Sequence, residues 1–276
     1  MHALETIIDG RPGHCVDPMD RGLHYGDGLF ETLRVVQGRI PFLPWHAERL
    51  QEGCRRLGLE MPAEFEKEAP LVAAHRPDAV LKFVLTSGSG ERGYARNGST
   101  PHRYWHVFPA PTRIDADSGM RIRWCRHRLS HQPALARIKH LNRLDQVLAR
   151  SEWSDPEIEE GILCDQDGHP VEGVQSNLFW MRNGVLHTPA LEVCGVAGIL
   201  RRAVLGWARQ EGIEIVSRRF DRNDLLEAEE VFMTNSVRGI RPVVALEAHT
   251  WPVGPASRRF VRRLAAVLEG NEGLPA

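Results

Sequence analysis

The stretch Ala136-Arg137-Ile138-Lys139-His140-Leu141-Asn142-Arg143-Leu144-Asp145-Gln146-Val147-Leu148 contains the residue on which the reading of this chain turns, Lys139. Lysine and arginine together number 35, yet only Lys67, Lys82 and Lys139 are lysines. Where a position needs only a fixed cation, this sequence uses arginine. What arginine cannot do is lose its proton and attack a carbonyl, as a lysine amine does in forming a Schiff base. Lys67, in Glu64-Phe65-Glu66-Lys67-Glu68, reads as part of a solvated helix face. Lys82, in Val80-Leu81-Lys82-Phe83-Val84-Leu85, reads as pointing outward from a strand. Lys139 stands ahead of an apolar helical pattern, between Ile138 and Leu141, and has no such ordinary explanation.

Working outward, a chain of 276 residues accommodates one large domain or two modest ones. Its net charge of -1 gives no overall field for nucleic acid or an anionic membrane, so neither is an expected partner. No apolar run approaches the roughly 18 residues that span a bilayer. The start, Met1-His2-Ala3-Leu4-Glu5, lacks the basic and apolar regions of a signal peptide. Five cysteines, odd in number and without a C-x-x-C pair, read as free thiols of a cytoplasmic protein.

In order along the chain, Thr6 to Ile8 and Cys15-Val16 flank a turn at Asp9-Gly10. A glycine-punctuated loop, Asp20 to Gly28, leads into a β-branched strand, Phe30 to Val36. Gln37-Gly38 turns into a second strand, Arg39 to Leu43, and Pro44 opens a helix to about Leu57. A helix over Pro62 to His75 should bend or split at Pro70. Val80–Thr86 and Tyr104–Phe108 complete a first group of strands. Polar, proline-containing residues follow, and we expect a small N-terminal α+β domain over 1–109, a linker over 110–119 and a larger α+β domain over 120–276. The second half reads as strands at Met120–Arg126, Gly161–Cys164, Asn177–Arg182, Val185–Thr188, Ile213–Arg218, Val231–Thr234 and Val243–Leu246. Helices are expected over Leu141–Trp153, Val196–Glu211, Asp224–Glu229 and Pro255–Glu269. Strands and helices mix without strict alternation, which favours α+β lobes over a doubly wound sheet.

Gly88-Ser89-Gly90-Glu91-Arg92-Gly93 matches G-x-G-x-x-G, but the dinucleotide fingerprint needs a helix to begin there. Tyr94 to Pro101 has no amphipathic period, so a flexible loop displaying Arg92 and Tyr94 is the better reading. The histidine pairs His102/His106 and His127/His131 lack a helix and a completing cysteine or carboxylate, and no metal is expected. Cys194-Gly195-Val196-Ala197-Gly198-Ile199-Leu200-Arg201 puts glycines before a helix, where free N–H groups and the helix dipole bind anions. Thr234-Asn235-Ser236 ends a strand with hydroxyls and an amide, and Glu172 sits beside a buried strand. A Schiff-base lysine, an arginine on the Pro44 helix, anion-binding glycines and a carboxylate are together the parts that hold an aldehyde, a phosphate and a pyridine nitrogen.

These passages resemble the fold type IV, class IV aminotransferase-like, family of pyridoxal phosphate enzymes. Asp20 to Arg34, Ser87 to Tyr94, Ile138 to Leu148 and Glu172 to Trp180 carry the resemblance, and Gly195–Arg201 and Phe232–Val243 extend it. Lys139-His140-Leu141-Asn142-Arg143-Leu144 and Gly88 to Tyr94 are similar to the lyase branch of that family. The resemblance implies a two-domain, D-amino-acid aminotransferase-like α+β fold with pyridoxal 5'-phosphate as cofactor. It makes Lys139 the Schiff-base lysine and proton-abstracting base. Glu172 would pair with the pyridine nitrogen, while Arg49, Ile199, Leu200 and Ser236 would hold the phosphate. Arg92, Tyr94, Asn142 and Arg143 would bind substrate. Val171 stands where a hydroxyl often precedes the glutamate, and Ser236 where some relatives have threonine.

The implied activity is that of a carbon–oxygen lyase of folate biosynthesis, turning 4-amino-4-deoxychorismate into 4-aminobenzoate and pyruvate in a homodimer. A D-amino-acid or branched-chain transaminase with the same residues is the alternative enzyme. A non-catalytic binding protein is the alternative of another class.

Overall fold

The computed structural model describes residues 2–111 and 118–275, and the expected linker, 110–119, falls largely outside them. Its contacts divide the chain into Met1–Pro111 with Ile138–Arg143, and Thr112–Arg137 with Leu144–Ala276. The Lys139 segment thus groups with the first half of the sequence.

In the first unit, β1 (Glu5–Ile8), β2 (Arg11–Pro12), α1 (Arg21–Tyr25), β3 (Gly28–Val36), α2 (Leu43–Leu57), α3 (Phe65–Ala73), β4 (Asp78–Thr86) and β5 (His102–Pro109) follow one another. The strands form one antiparallel sheet in the order β2-β1-β5-β4-β3. The expected loop at Asp20–Gly28 contains a short helix, because Asp20 caps α1 by accepting from Gly22 N at 2.7 Å. Asp20 is itself fixed by Thr86 Oγ1 and Tyr104 Oη, each donating at 2.8 Å. The expected strand Arg39–Leu43 does not form. Val36 and Arg39 close a tight turn through two hydrogen bonds, and Pro41 then offers no donor to continue the pairing. α3 runs unbroken through Pro70, which faces solvent, while Phe65, Ala69 and Ala73 bury the opposite side. Phe65, Phe83 and Trp105 form an aromatic cluster with ring centres 4.6–5.5 Å apart. Trp105 Nε1 donates to Glu68 at 2.9 Å, so the indole is buried with its polar atom satisfied.

The second unit holds β6 (Met120–Leu129), α4 (Leu144–Arg150), β7 (Glu160–Asp165), β8 (Pro170–Gly173), β9 (Asn177–Arg182), β10 (Val185–Pro189), α5 (Ile199–Gln210), β11 (Ile215–Arg218), α6 (Arg222–Leu226), β12 (Glu230–Asn235), β13 (Gly239–Leu246), β14 (His249–Thr250) and α7 (Pro255–Glu269). β9, β12, β13, β6, β7 and β8 pair in sequence, and a β8–β9 pairing at Glu172 and Asn177 closes them into a ring. β10 and β11 extend the sheet beyond β9, and β14 pairs with β13. Alternate residues serve different neighbours, as a period of two requires. Phe179 and Phe232 stack at 5.2 Å and meet Phe260 of α7, while Leu178, Trp180, Val231 and Met233 join Met120, Ile122 and Ile162. α4 is shorter than the expected Leu141–Trp153: residues 141–143 lie outside it, His140 just before them bridges Leu29, and Leu141 N donates to Gly28 O. Among the described residues no helix is long and apolar enough to cross a membrane.

Trp105→Ala empties the centre of the aromatic cluster and leaves Glu68 without the indole donor. A loss of ~3–5 kcal/mol in urea unfolding is expected. A loss below about 1 kcal/mol would show that this cluster is not the core of the first unit.

Candidate active site

Lys139 is held by backbone pairing along the free edge of β3. Phe30 N donates to Lys139 O at 2.9 Å, Leu141 N donates to Gly28 O at 3.0 Å, and Leu29 and His140 form an isolated bridge. Gly28 has to be glycine, since a Cβ there would lie 2.2 Å from Leu85 O. The pairing sets Lys139 half-buried with Nζ 4.3 Å from the centre of the Phe30 ring, a face that favours a cation. Lys82 does not simply point outward: it is half-buried, its Nζ lies 5.5 Å from the same ring, and burial lowers its ammonium. Asn142 Nδ2 donates to Gly26 O at 3.0 Å, and Arg143 turns back to donate to His140 O at 2.8 Å. Both therefore brace the segment that carries Lys139.

Arg49, on α2, packs against Glu31 in the middle of β3. Its Nε donates to Glu31 Oε1 at 2.7 Å and its Nη2 to Oε2, while His46 Nδ1 donates to Oε2 at 2.6 Å. Glu31 is 1% exposed. Burial alone would raise its carboxyl, but Arg49 and His46 outweigh that and bring it from 4.5 to about 2. Burial pushes the His46 imidazole below its ordinary value; Glu31 opposes this, and the cations of Arg49 and Lys139 add to it. A neutral His46 donating through Nδ1 leaves Arg49 as the counter-charge of Glu31. The alternation Leu29, Glu31, Leu33, Val35 placed a charge on the buried face of a strand, a signal from which Glu31 could have been singled out.

Arg92 and Tyr94 lie in the loop between β4 and β5, both exposed. No helix follows the G-x-G-x-x-G stretch; residues 92–98 form bends and a turn.

In the second unit, Glu172 is buried at the ring closure, and its Oε2 accepts from Val196 N at 2.8 Å. Asn177, which our reading of the residues did not single out, holds the same loop: its Nδ2 donates to Val196 O at 2.8 Å and its Oδ1 accepts from Gly198 N at 3.1 Å. A Cβ on Gly198 would come within 2.0 Å of that Oδ1. An amide opening the otherwise apolar run Leu178-Phe179-Trp180 was the available signal. Gly198 caps α5 with no side-chain hydrogen bond, so the first-turn N–H groups of Ile199 and Leu200 can receive an anion. Ser236 is half-buried in the turn after β12, where Asn235 Oδ1 accepts from Val237 N and Arg238 N.

Folding separates one of the histidine pairs considered above. His127 Nε2 meets Asp145 Oδ1 at 2.7 Å, whereas His131 joins Asp165 and Asp167, carboxylates that sequence spacing did not connect with it. Arg219 Nη2 already donates to both, at 2.6 and 2.7 Å, and supplies the cation that cluster needs.

The family described as amino-transferase class IV matches residues 28–246. The chain belongs to the class IV aminotransferase family. Within it, the chain is 33% identical to an aminodeoxychorismate lyase of Vibrio harveyi, over 92% of this chain and 97% of that protein. A crystal structure of 4-amino-4-deoxychorismate lyase from Pseudomonas aeruginosa superposes with a TM-score of 0.90 at 44% identity, covering 94% of this chain and 97% of that one. A D-alanine aminotransferase of Bacillus licheniformis is 27% identical over 90% of each chain. Enzymes of this family use pyridoxal phosphate.

The depressed carboxyl of Glu31 contributes stability that is present above 4.5 and lost as the pH falls toward about 2. Urea unfolding followed downward from about pH 6 is expected to lose stability steeply through that window in the wild type and less steeply in Glu31→Gln. Near pH 7 the variant should be less stable by ~3–5 kcal/mol, because Arg49 loses its counter-charge. Parallel pH curves for the two proteins would contradict the assignment.

Proposed function

We propose that this chain is a pyridoxal phosphate-dependent lyase that converts 4-amino-4-deoxychorismate to 4-aminobenzoate and pyruvate, acting as a cytoplasmic homodimer. The observation that carries this reading is the 44% identity to the Pseudomonas aeruginosa lyase across nearly the whole chain, against 27% to the D-alanine aminotransferase. Lys139-His140-Leu141-Asn142-Arg143-Leu144, similar to the lyase branch, supports it.

The donor set fits the cofactor in kind. A half-buried amine, a guanidinium fixed on one edge by Glu31, an uncapped helix N-terminus and a buried carboxylate answer an aldehyde, a phosphate and a ring nitrogen. Gly198, where a Cβ would strike Asn177, keeps the backbone leading into α5 accessible. When bound, pyridoxal phosphate supplies an aldehyde that takes up the substrate amine and a protonated ring that accepts electrons from the neighbouring carbon. Arg49, Ile199, Leu200 and Ser236 would hold its phosphate, and Glu172 would keep the proton on its nitrogen. Lys139 Nζ would remove the proton from the amine-bearing carbon of the substrate. The bond to the enolpyruvyl oxygen would then break, the six-membered ring would become aromatic, and the departing enolpyruvate would take up one proton, balancing the one removed by Lys139, to become pyruvate. Arg92 would meet a substrate carboxylate, with Tyr94, Asn142 and Arg143 shaping the rest. Because aromatisation drives the elimination, the protein has mainly to orient one C–H bond and receive its proton.

A transaminase acting on D- or branched-chain amino acids is the second reading, favoured by the kinship to the D-alanine aminotransferase. The two differ in a single requirement. Release of pyruvate from 4-amino-4-deoxychorismate without any added keto acid is expected, whereas turnover that depends on a keto acid would overturn the lyase assignment. The purified protein should be yellow and bleached by borohydride. Lys139→Arg should be as inactive as Lys139→Ala, each down by ~10³-fold or more, since a permanent cation cannot take a proton. Retained colour and activity in Lys139→Ala would remove Lys139 from the catalytic role, whereas a wild-type protein with neither colour nor turnover would return the chain to the class of binding proteins.

A further inference from the structure

Arg21, at the start of α1, is a buried cation outside the roles assigned above, with 3% of its surface exposed. Its Nη1 donates to Gly93 O at 2.9 Å and to Ala95 O at 3.1 Å, and its Nη2 donates to Tyr94 O at 2.9 Å. Its Nε donates to Asp27 Oδ2 at 3.1 Å. Three consecutive carbonyls thus converge on one guanidinium. A short loop does not adopt that shape unaided, because the three dipoles repel one another unless a cation lies between them. The planar fork of arginine matches the arrangement, whereas a lysine ammonium is a single point with no fixed plane.

The surroundings reinforce the clamp. Arg21 N donates to Gly88 O at 2.9 Å, the Tyr25 ring lies 5.0 Å from the guanidinium, and the Tyr94 ring lies 5.5 Å from Tyr25. Asp27 also accepts from Ser87 Oγ at 2.7 Å and from Arg96 Nε at 2.9 Å, so both ends of the loop are tied to residues 20–28. The C-terminal end of that same segment accepts from the lysine segment, through Gly26 O and Gly28 O. Residues 20–30 therefore act as a ruler with Arg92 and Tyr94 referenced to one end and Lys139 to the other.

We propose that Arg21 is a positioning residue for substrate recognition: it gathers the carbonyls of residues 93–95 so that Arg92 meets the carboxylate of a substrate at a fixed distance from Lys139. This rests on the reading of Arg92 as a carboxylate ligand, and Arg92→Leu tests that reading separately.

The test compares wild type, Arg21→Lys, Arg21→Gln and Arg92→Leu, all loaded with cofactor. Trypsin cleavage after Arg92 and Arg96, read by mass spectrometry, reports the loop without reference to any substrate. In the Arg21 variants cleavage is expected to accelerate at those two bonds by ~10-fold or more. KM should rise ~10-fold or more with kcat within about threefold, and cofactor absorbance should be unchanged. Arg92→Leu should raise KM equally with wild-type cleavage rates at Arg96.

Unchanged cleavage and KM in the Arg21 variants, with KM raised in Arg92→Leu, overturns the positioning role. Unchanged KM in Arg92→Leu overturns the recognition role instead. If neither Arg21 variant retains cofactor, or if cleavage accelerates throughout the chain, Arg21 holds the fold and the proposal fails.

Discussion

The hydrogen bonds that Gly28 and Phe30 exchange with Leu141 and Lys139 fix the chemistry-bearing part of this molecule. They are backbone bonds, so they locate Lys139 whatever its side chain is doing, and they hold the amine beside the Phe30 ring. A long lysine side chain has many rotamers and supplies no positional memory of its own, so the backbone anchor is what fixes where the amine can reach. The edge position of β3 makes this possible: an interior strand would have had no unpaired groups to offer.

A second constraint is electrostatic. Arg49 and Lys139 both act on His46, and Lys82 shares the Phe30 ring with Lys139. Glu31 balances part of that charge from the buried face of the sheet, and His46 satisfies the carboxylate by hydrogen bonding while adding no charge when neutral. The result is a guanidinium whose plane is set by its own carboxylate. Arg21 repeats the device with three carbonyls beside the carboxylate of Asp27.

Elements governed by neighbours in sequence were legible from the residues. Asn177–Arg182 and Pro255–Glu269 form with the bounds that alternation and end signals implied, and the Pro44 helix ends at Gly58. The family and its α+β fold were legible from motifs. What sequence could not reveal depended on distant partners. Leu141 to Arg143 looked helical from periodicity but lie outside α4, because Leu141 N is taken by Gly28 O of β3 and that pairing overrides local preference. Arg39 looked like a strand start and had no strand to join beyond one residue. The glycine-rich loop hid a capped helical turn whose cap depends on Thr86 and Tyr104, both far along the chain. Glu31 and Asn177 escaped for a related reason: each acts on another side chain or loop, and no spacing rule encodes that.

The ring of strands in the second unit sets an order of events in time. Glu172 and Asn177 meet across a hairpin only a few residues long, so that seam can form soon after synthesis passes it. β6, by contrast, lies parallel to β13, with Met120 opposite Val243, across nearly half the chain. During translation β6 waits with one edge open until Gly239–Leu246 has emerged. The nascent protein therefore carries an open strand edge for nearly half of its synthesis. β6 carries Arg121 and Arg126 exposed and Arg123 and Arg128 half-buried, and charged side chains are one way an open strand edge is guarded against pairing with another chain.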